Sequence, residues 1–110
     1  MATAKAQSKY LRLNPRKAVL AADLIRGKTV SEAMIQLEHS QMKAGRFLKK
    51  TLDSAVANAE TQWGLSRDNL RIVEVKVDKG PQFKRGKPKN KGGTHAILKK
   101  TSHLTVVVGE

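Results

Sequence analysis

The sequence predicts an α+β fold in which three helices pack on a small antiparallel sheet and a long β-hairpin protrudes. Three observations carry this prediction. Helix-punctuated segments occupy residues 14–64, alternating valine-rich runs occupy 73–77 and 104–108, and between those runs lies a stretch rich in cations and free of carboxylates. The stretch KGPQFKRGKPKNKGGTHAILKK, residues 79–100, holds Lys79, Lys84, Arg85, Lys87, Lys89, Lys91, Lys99 and Lys100 with no Asp or Glu.

The elements follow in order. Ala4, Ala6, Ser8 and Tyr10 alternate with Lys5, Gln7 and Lys9, the period of a strand with one wet face. Asn14-Pro15 supplies an N-cap and a proline suited to the first helical position; Val19, Leu20, Leu24 and Ile25 then recur on one face until Gly27. Thr29 and Glu32 have the spacing of a capping box that opens a short second helix through Ala33, Met34 and Leu37. Ser40 is read as the cap of a longer third helix. Its apolar stripe runs through Leu48, Leu52, Ala55, Val56, Ala59 and Trp63 before Gly64 ends it, so Trp63 is expected in the core.

Beyond the helices, Val73, Val75 and Val77 alternate with charged residues, and Leu104, Val106 and Val108 alternate with Thr105 and Val107. The two runs flank the basic stretch, so the economical topology pairs them antiparallel and extends the pair outward. The tip is expected at Asn90, Gly92 and Gly93. An arm from Gly80 to Asn90 would reach roughly 30 Å at strand spacing. An isolated two-stranded ribbon is marginal in water, so the tip is expected to be mobile in the free protein and its valine-rich base fixed. One domain is expected over residues 1–110, with a body formed by 1–79 and 101–110 and a hairpin formed by 80–100.

The charge balance names the class of partner. Against 9 Asp+Glu stand 22 Lys+Arg, a formal net charge of +13, which makes nucleic acid the expected ligand. On the third helix Lys43, Arg46 and Lys50 fall three and four apart and so project together toward phosphate. A chain without Cys has no disulfide framework, zinc ribbon or thiol nucleophile. No apolar run approaches a membrane span and the N-terminus lacks the apolar core of a secretory signal, so a cytoplasmic location is expected.

Enzymatic readings find little support. His39, His95 and His103 lie on separate segments without metal-ligand spacing, and no carboxylate cluster suits acid–base or two-metal work. Neither Gly80 to Gly86-Lys87 nor Gly27-Lys28-Thr29 satisfies a phosphate-loop pattern. No catalytic residue, metal or cofactor is therefore assigned. Tyr10, Phe47, Trp63 and Phe83 are scattered, which excludes a stacking platform built from adjacent positions, although Phe83 can pack on a base, a sugar or the opposite arm. His103 is read as hydrogen-bonding backbone or a phosphate at the base of the hairpin. The different-class alternative is an architectural DNA-binding protein whose basic ribbon enters a duplex groove. Attraction to anionic lipid is a weaker one, since no helix pairs a large aromatic face with a basic one.

Four motifs in this order resemble a known family: Ala22-Asp23-Leu24-Ile25-Arg26-Gly27-Lys28, Ser54-Ala55-Val56-Ala57-Asn58-Ala59-Glu60, Gly80-Pro81 with Lys84-Arg85, and Lys100-Thr101-Ser102-His103-Leu104-Thr105-Val106-Val107-Val108. Over nearly its whole length the chain resembles the large-subunit ribosomal protein L-twenty-two family of bacterial type. The resemblance implies a body of three helices on a three-stranded antiparallel sheet, bound to large-subunit rRNA near the outer end of the peptide exit tunnel. It implies a hairpin tip in the tunnel wall that passes the nascent peptide, contacts with neighbouring large-subunit proteins, and a part in early subunit assembly. It further implies that tip changes can alter the response to macrolide-type antibiotics through tunnel shape and not direct drug contact. The rRNA-binding set the resemblance and the charge pattern imply together is Arg16, Lys17, Lys43, Arg46, Lys50, Lys84, Arg85, Lys87, Lys89, Lys91, Gly92, Lys99, Lys100 and His103. Departures from the family pattern are Lys89 and Gly93 where arginines are usual, Gly86-Lys87 where bulkier residues are common, and Ala96 where a further cation often stands.

Overall fold

The computed structural model describes residues 2–81, 83–88 and 94–110, with 83–88 and 94–99 described by their backbone alone. The elements are β1 (Thr3–Leu11), α1 (Pro15–Asp23), α2 (Val30–His39), α3 (Lys43–Trp63), β2 (Arg71–Lys79), β3 (Phe83–Pro88), β4 (Thr94–Lys99) and β5 (Ser102–Gly109). A short 3-10 turn, Arg67–Asn69, precedes β2. The strands β1, β5 and β2 form an antiparallel sheet in that order, and β3 pairs antiparallel with β4 as a separate two-stranded sheet.

The last strand therefore takes the centre. Leu104, Val106 and Val108 on β5 are completely buried against the helices, where each side chain contributes about 1.5–3 kcal/mol by leaving water. α3 supplies the opposing layer through Leu48, Leu52, Ala55, Val56 and Ala59, the expected stripe less its last member. Its helix stops at Gly64, in the left-handed region at φ 64°, with the N–H groups of Gly64 and Leu65 closing on the carbonyls of Glu60 and Ala59.

Trp63 is not in the core. It is 55% exposed, and its indole Nε1 donates to the carbonyl of Thr3 at 2.9 Å. Asn58 Nδ2 likewise donates to the carbonyl of Lys5 at 3.0 Å. β1 is an edge strand, and these two α3 side chains satisfy carbonyls along it that no further strand pairs.

The other corrections concern α1, the start of α3 and β2, and on α1 the cause is that hydrophobic periodicity does not say which face turns inward. On α1 the buried side chains are Pro15, Ala18, Ala21 and Ala22, while Val19, Leu20 and Leu24 are exposed and Ile25 is buried in the turn that follows. Close approach of α1 to β2 and α3 requires alanine-sized contacts. α1 starts as expected, with Asn14 Oδ1 accepting from the Arg16 N–H at 3.1 Å. Ser40 closes α2 instead of opening α3; its hydroxyl accepts from the N–H of Met42, the residue that precedes α3 without a side-chain cap. In β2 a register shift between Ile72 and Glu74 breaks the valine alternation, so Ile72 and Val75 are buried and Val73 is 55% exposed. Of the capping box expected at the first turn of α2, the Thr29 half forms, with Thr29 Oγ1 accepting from the Glu32 N–H.

Two bonds mark the root of the β3–β4 pair. The Gly80 N–H donates to the Thr101 carbonyl at 2.9 Å, and Thr101 Oγ1 donates to the Pro81 carbonyl at 2.7 Å. Pairing runs from Phe83 opposite Lys99 to Pro88 opposite Thr94. The extents of 62 × 25 × 16 Å and radius of gyration of 17.0 Å describe an elongated chain, against about 13 Å for a compact domain of this size. The turn expected at Asn90, Gly92 and Gly93 lies outside the described residues.

Candidate nucleic-acid interface

Three surface hollows join end to end across the body, and cations line all of them. The first, about 210 Å³, lies on α3 between Lys43, Arg46, Phe47 and Lys50. The second, about 440 Å³, is lined by Arg12, Leu13, Asn14, Lys17, Met42, Lys43 and Ala44. The third, about 430 Å³, is lined by Asn14, Pro15, Arg16, Val19, Val77, Lys79 and Lys100. Lys43 is shared by the first two and Asn14 by the last two, so one cationic band runs from α3 past the start of α1 to the root of the β3–β4 pair.

Helix placement raises the positive potential of this band. Asn14 and Met42 precede the first residues of α1 and α3, so two helix N-termini open on the middle hollow. Neither helix has an acidic residue in its first turn. The partial positive charges of the free N–H groups thus add to Arg12, Lys17 and Lys43 where other helices carry a compensating carboxylate. Charge is also divided along α3: Lys43, Arg46, Lys49 and Lys50 occupy its first eight residues, and Asp53 and Glu60 follow. Those two carboxylates each lie 4.0 Å from Arg67, beyond the end of this cationic stretch.

The band unites most of the expected body residues. Lys43, Arg46 and Lys50 share one hollow as their spacing required, and Lys17, Arg16 and Lys100 join them through the two others. Arg12 was missed. It sits between Leu11 and Leu13 with no periodic signal, and only its closeness to the Asn14 cap could have marked it.

His103 lines none of the three hollows and lies on β5 opposite Asp78. Its Nδ1 accepts from the backbone N–H of Tyr10 at 3.0 Å, the backbone role expected for it. Lys84, Arg85 and Lys87 lie on β3 and Lys99 on β4 by backbone register, opposite Leu98, Ile97, His95 and Phe83 in turn. Lys89, Lys91 and Gly92, with the departures at Gly93 and the tip, lie outside the described residues. Among the described residues there is no group of three or more His, Cys, Asp or Glu arranged to hold a metal ion, and no helix is long and apolar enough to cross a membrane.

A family model described as ribosomal protein L22p/L17e matches residues 6–109. The large ribosomal subunit protein uL22 of Protochlamydia amoebophila (strain UWE25) is 65% identical over 108 residues, covering 98% of this chain and 97% of that protein. The protein of the same name from Chlamydia muridarum (strain MoPn / Nigg) is 61% identical over 106 residues, covering 96% of each. That of Chlamydia pneumoniae is 58% identical over 106 residues, again covering 96% of each.

Proposed function

This chain belongs to the ribosomal protein L22p/L17e family, and from that premise we propose that it is a structural constituent of the large ribosomal subunit, in the cytoplasm, that binds large-subunit rRNA. The observation that carries the reading is the continuous band from Lys50 through Lys43, Lys17 and Arg16 to Lys79 and Lys100, which leads into the root of a paired segment bearing further cations. A band of one sign that crosses three elements suits a path of phosphates better than a single small anion.

In this reading residues 1–79 and 101–110 form a body that docks on folded rRNA, and residues 80–100 form an arm that reaches into it. Lys84, Arg85, Lys87, Lys89, Lys91 and Lys99 neutralise phosphates along the arm, and Gly92 lets the backbone approach closely. Counterion release supplies affinity, RNA shape selects the site, and ordering of the arm is coupled to binding. Its work is assembly and scaffolding, without catalysis. The arm's far end lies in the wall of the peptide exit tunnel beside the nascent chain, and neighbouring large-subunit proteins complete the surroundings.

The test compares binding of the intact chain to a folded large-subunit rRNA transcript and to duplex DNA at matched salt. Preference for the rRNA supports the reading. Equal affinity for both would favour an architectural DNA-binding protein that uses the paired segment as a groove-entering ribbon.

A further inference from the structure

Tyr10 has a conformation that its own strand does not explain. It is the one residue other than glycine with positive φ among the described residues, at φ 58°, and it sits in the irregular pairing of β1 with β5 between Ser8 and Leu11. For a bulky aromatic residue the left-handed region is unfavourable, and such outliers concentrate at ligand-binding sites. The conformation is held from outside. His103 Nδ1 accepts the Tyr10 N–H, and the two rings meet edge to face with centroids 4.8 Å apart at 89°.

The result is an aromatic ring turned outward. Tyr10 is 64% exposed, the largest exposure among the big apolar and aromatic side chains of the described residues. An edge-to-face pair covers at most one face of the tyrosine, so at least one π-face is free of His103. The surroundings select its partner. Leu11, the next residue, pairs with Ser102, which pairs in turn with Lys79 of the cationic band, and Arg12 beyond it lines the middle hollow. A flat, amphipathic face beside a phosphate-binding band matches an unpaired nucleobase, which stacks through its π-face while its backbone follows the cations.

We infer that Tyr10 is a stacking site for one unpaired rRNA nucleotide at the root of the arm, with His103 as the positioning residue that holds its ring outward. This rests on the rRNA-binding reading above and adds to it a contact that carries no charge. Stacking and phosphate contact therefore separate by their salt dependence.

The experiment measures affinity of the full chain for a folded large-subunit rRNA transcript over a series of salt concentrations, with Tyr10→Phe, Tyr10→Leu and Tyr10→Gly beside the parent. Phe keeps the π-face and is expected to bind within about twofold of the parent. Leu is expected to weaken binding roughly 5- to 150-fold, the range for loss of one base–aromatic stack, with the slope of log affinity against log salt unchanged. Gly removes the ring while relieving the positive φ, so it is expected to lose the same affinity with its melting midpoint maintained or raised, a combination that a merely structural tyrosine would not give. Parent-like binding by Leu and Gly, or a loss that comes with a lower salt slope, would overturn the inference and leave the rRNA reading intact. Equal parental affinity for duplex DNA would overturn both.

Discussion

The side chain of Thr101 occupies the space that a Cβ on Gly80 would need, so the arm's root closes only because residue 80 has no side chain. The position is steric rather than conformational: Thr101 Oγ1 and the imidazole edge of His103, whose Cε1 would lie 3.2 Å from such a Cβ, crowd one face of Gly80. Thr101 cannot simply turn away, because its hydroxyl donates to the Pro81 carbonyl. Gly80→Ala is expected to destabilise the chain by about 1–3 kcal/mol, the usual cost of overpacking. Placing Thr101→Ala in the same chain is expected to recover part of it. Urea denaturation of the two single variants and the double variant checks this, and strict additivity would contradict the contact.

Trp63 is expected to behave as an edge-strand clasp. The chain has one tryptophan, so its fluorescence reports this site alone. Emission is expected at the long wavelength of a half-solvated indole, and Trp63→Phe is expected to cost about 0.5–1.5 kcal/mol through loss of the bond to Thr3. A loss of the size that follows removal of a core aromatic, about 3–5 kcal/mol, would contradict it.

Arg26 ties the end of the first helical segment to the sheet. Its Nη1 donates to the Val75 carbonyl at 2.6 Å and its Nε to Asp23 Oδ1 at 2.9 Å. The Asp23 pair is exposed and contributes little, whereas the carbonyl bond satisfies a group on β2, an edge strand of the sheet. Arg26→Met is accordingly expected to cost about 1 kcal/mol, and Asp23→Asn much less, by thermal denaturation.

Stability and binding are expected to oppose each other at Lys43. It is the first residue of α3, where a cation faces the positive end of the helix with no acidic residue in the first turn. Lys43→Gln is expected to raise stability by about 0.3–1 kcal/mol at low salt, since like-sign repulsion at the helix terminus is removed. The same variant is expected to bind rRNA more weakly. A variant that loses both stability and affinity would show that Lys43 acts in packing instead.

Much of this was legible in the residues because local chemistry decides it. Asn14-Pro15, Thr29 and Gly64 mark helix ends through bonds or backbone angles set within a few positions, and each does so in the structure. The alternation of Leu104, Val106 and Val108 survives because β5 is the central strand, flanked on both sides. What failed depends on distant partners. The shift at Ile72–Glu74 and the outward turn of Trp63 are set by neighbours far along the chain, and the alanine face of α1 was hidden by larger residues that remain in solvent. For the interface, spacing alone grouped Lys43, Arg46 and Lys50. The link from Lys43 to Arg12 and Lys17 is tertiary, made where the starts of α1 and α3 meet.

Whether band and arm form one phosphate-binding surface is read most directly from the salt slope of rRNA affinity for four chains. These are the parent, Lys43→Gln/Arg46→Gln/Lys50→Gln, a chain with residues 82–96 replaced by a short turn, and the combination. The slope is expected to fall by roughly 2 to 3 for the triple substitution, by roughly 4 to 5 without the arm, and by the sum for both. A slope that the loss of the arm leaves unchanged would contradict a shared surface.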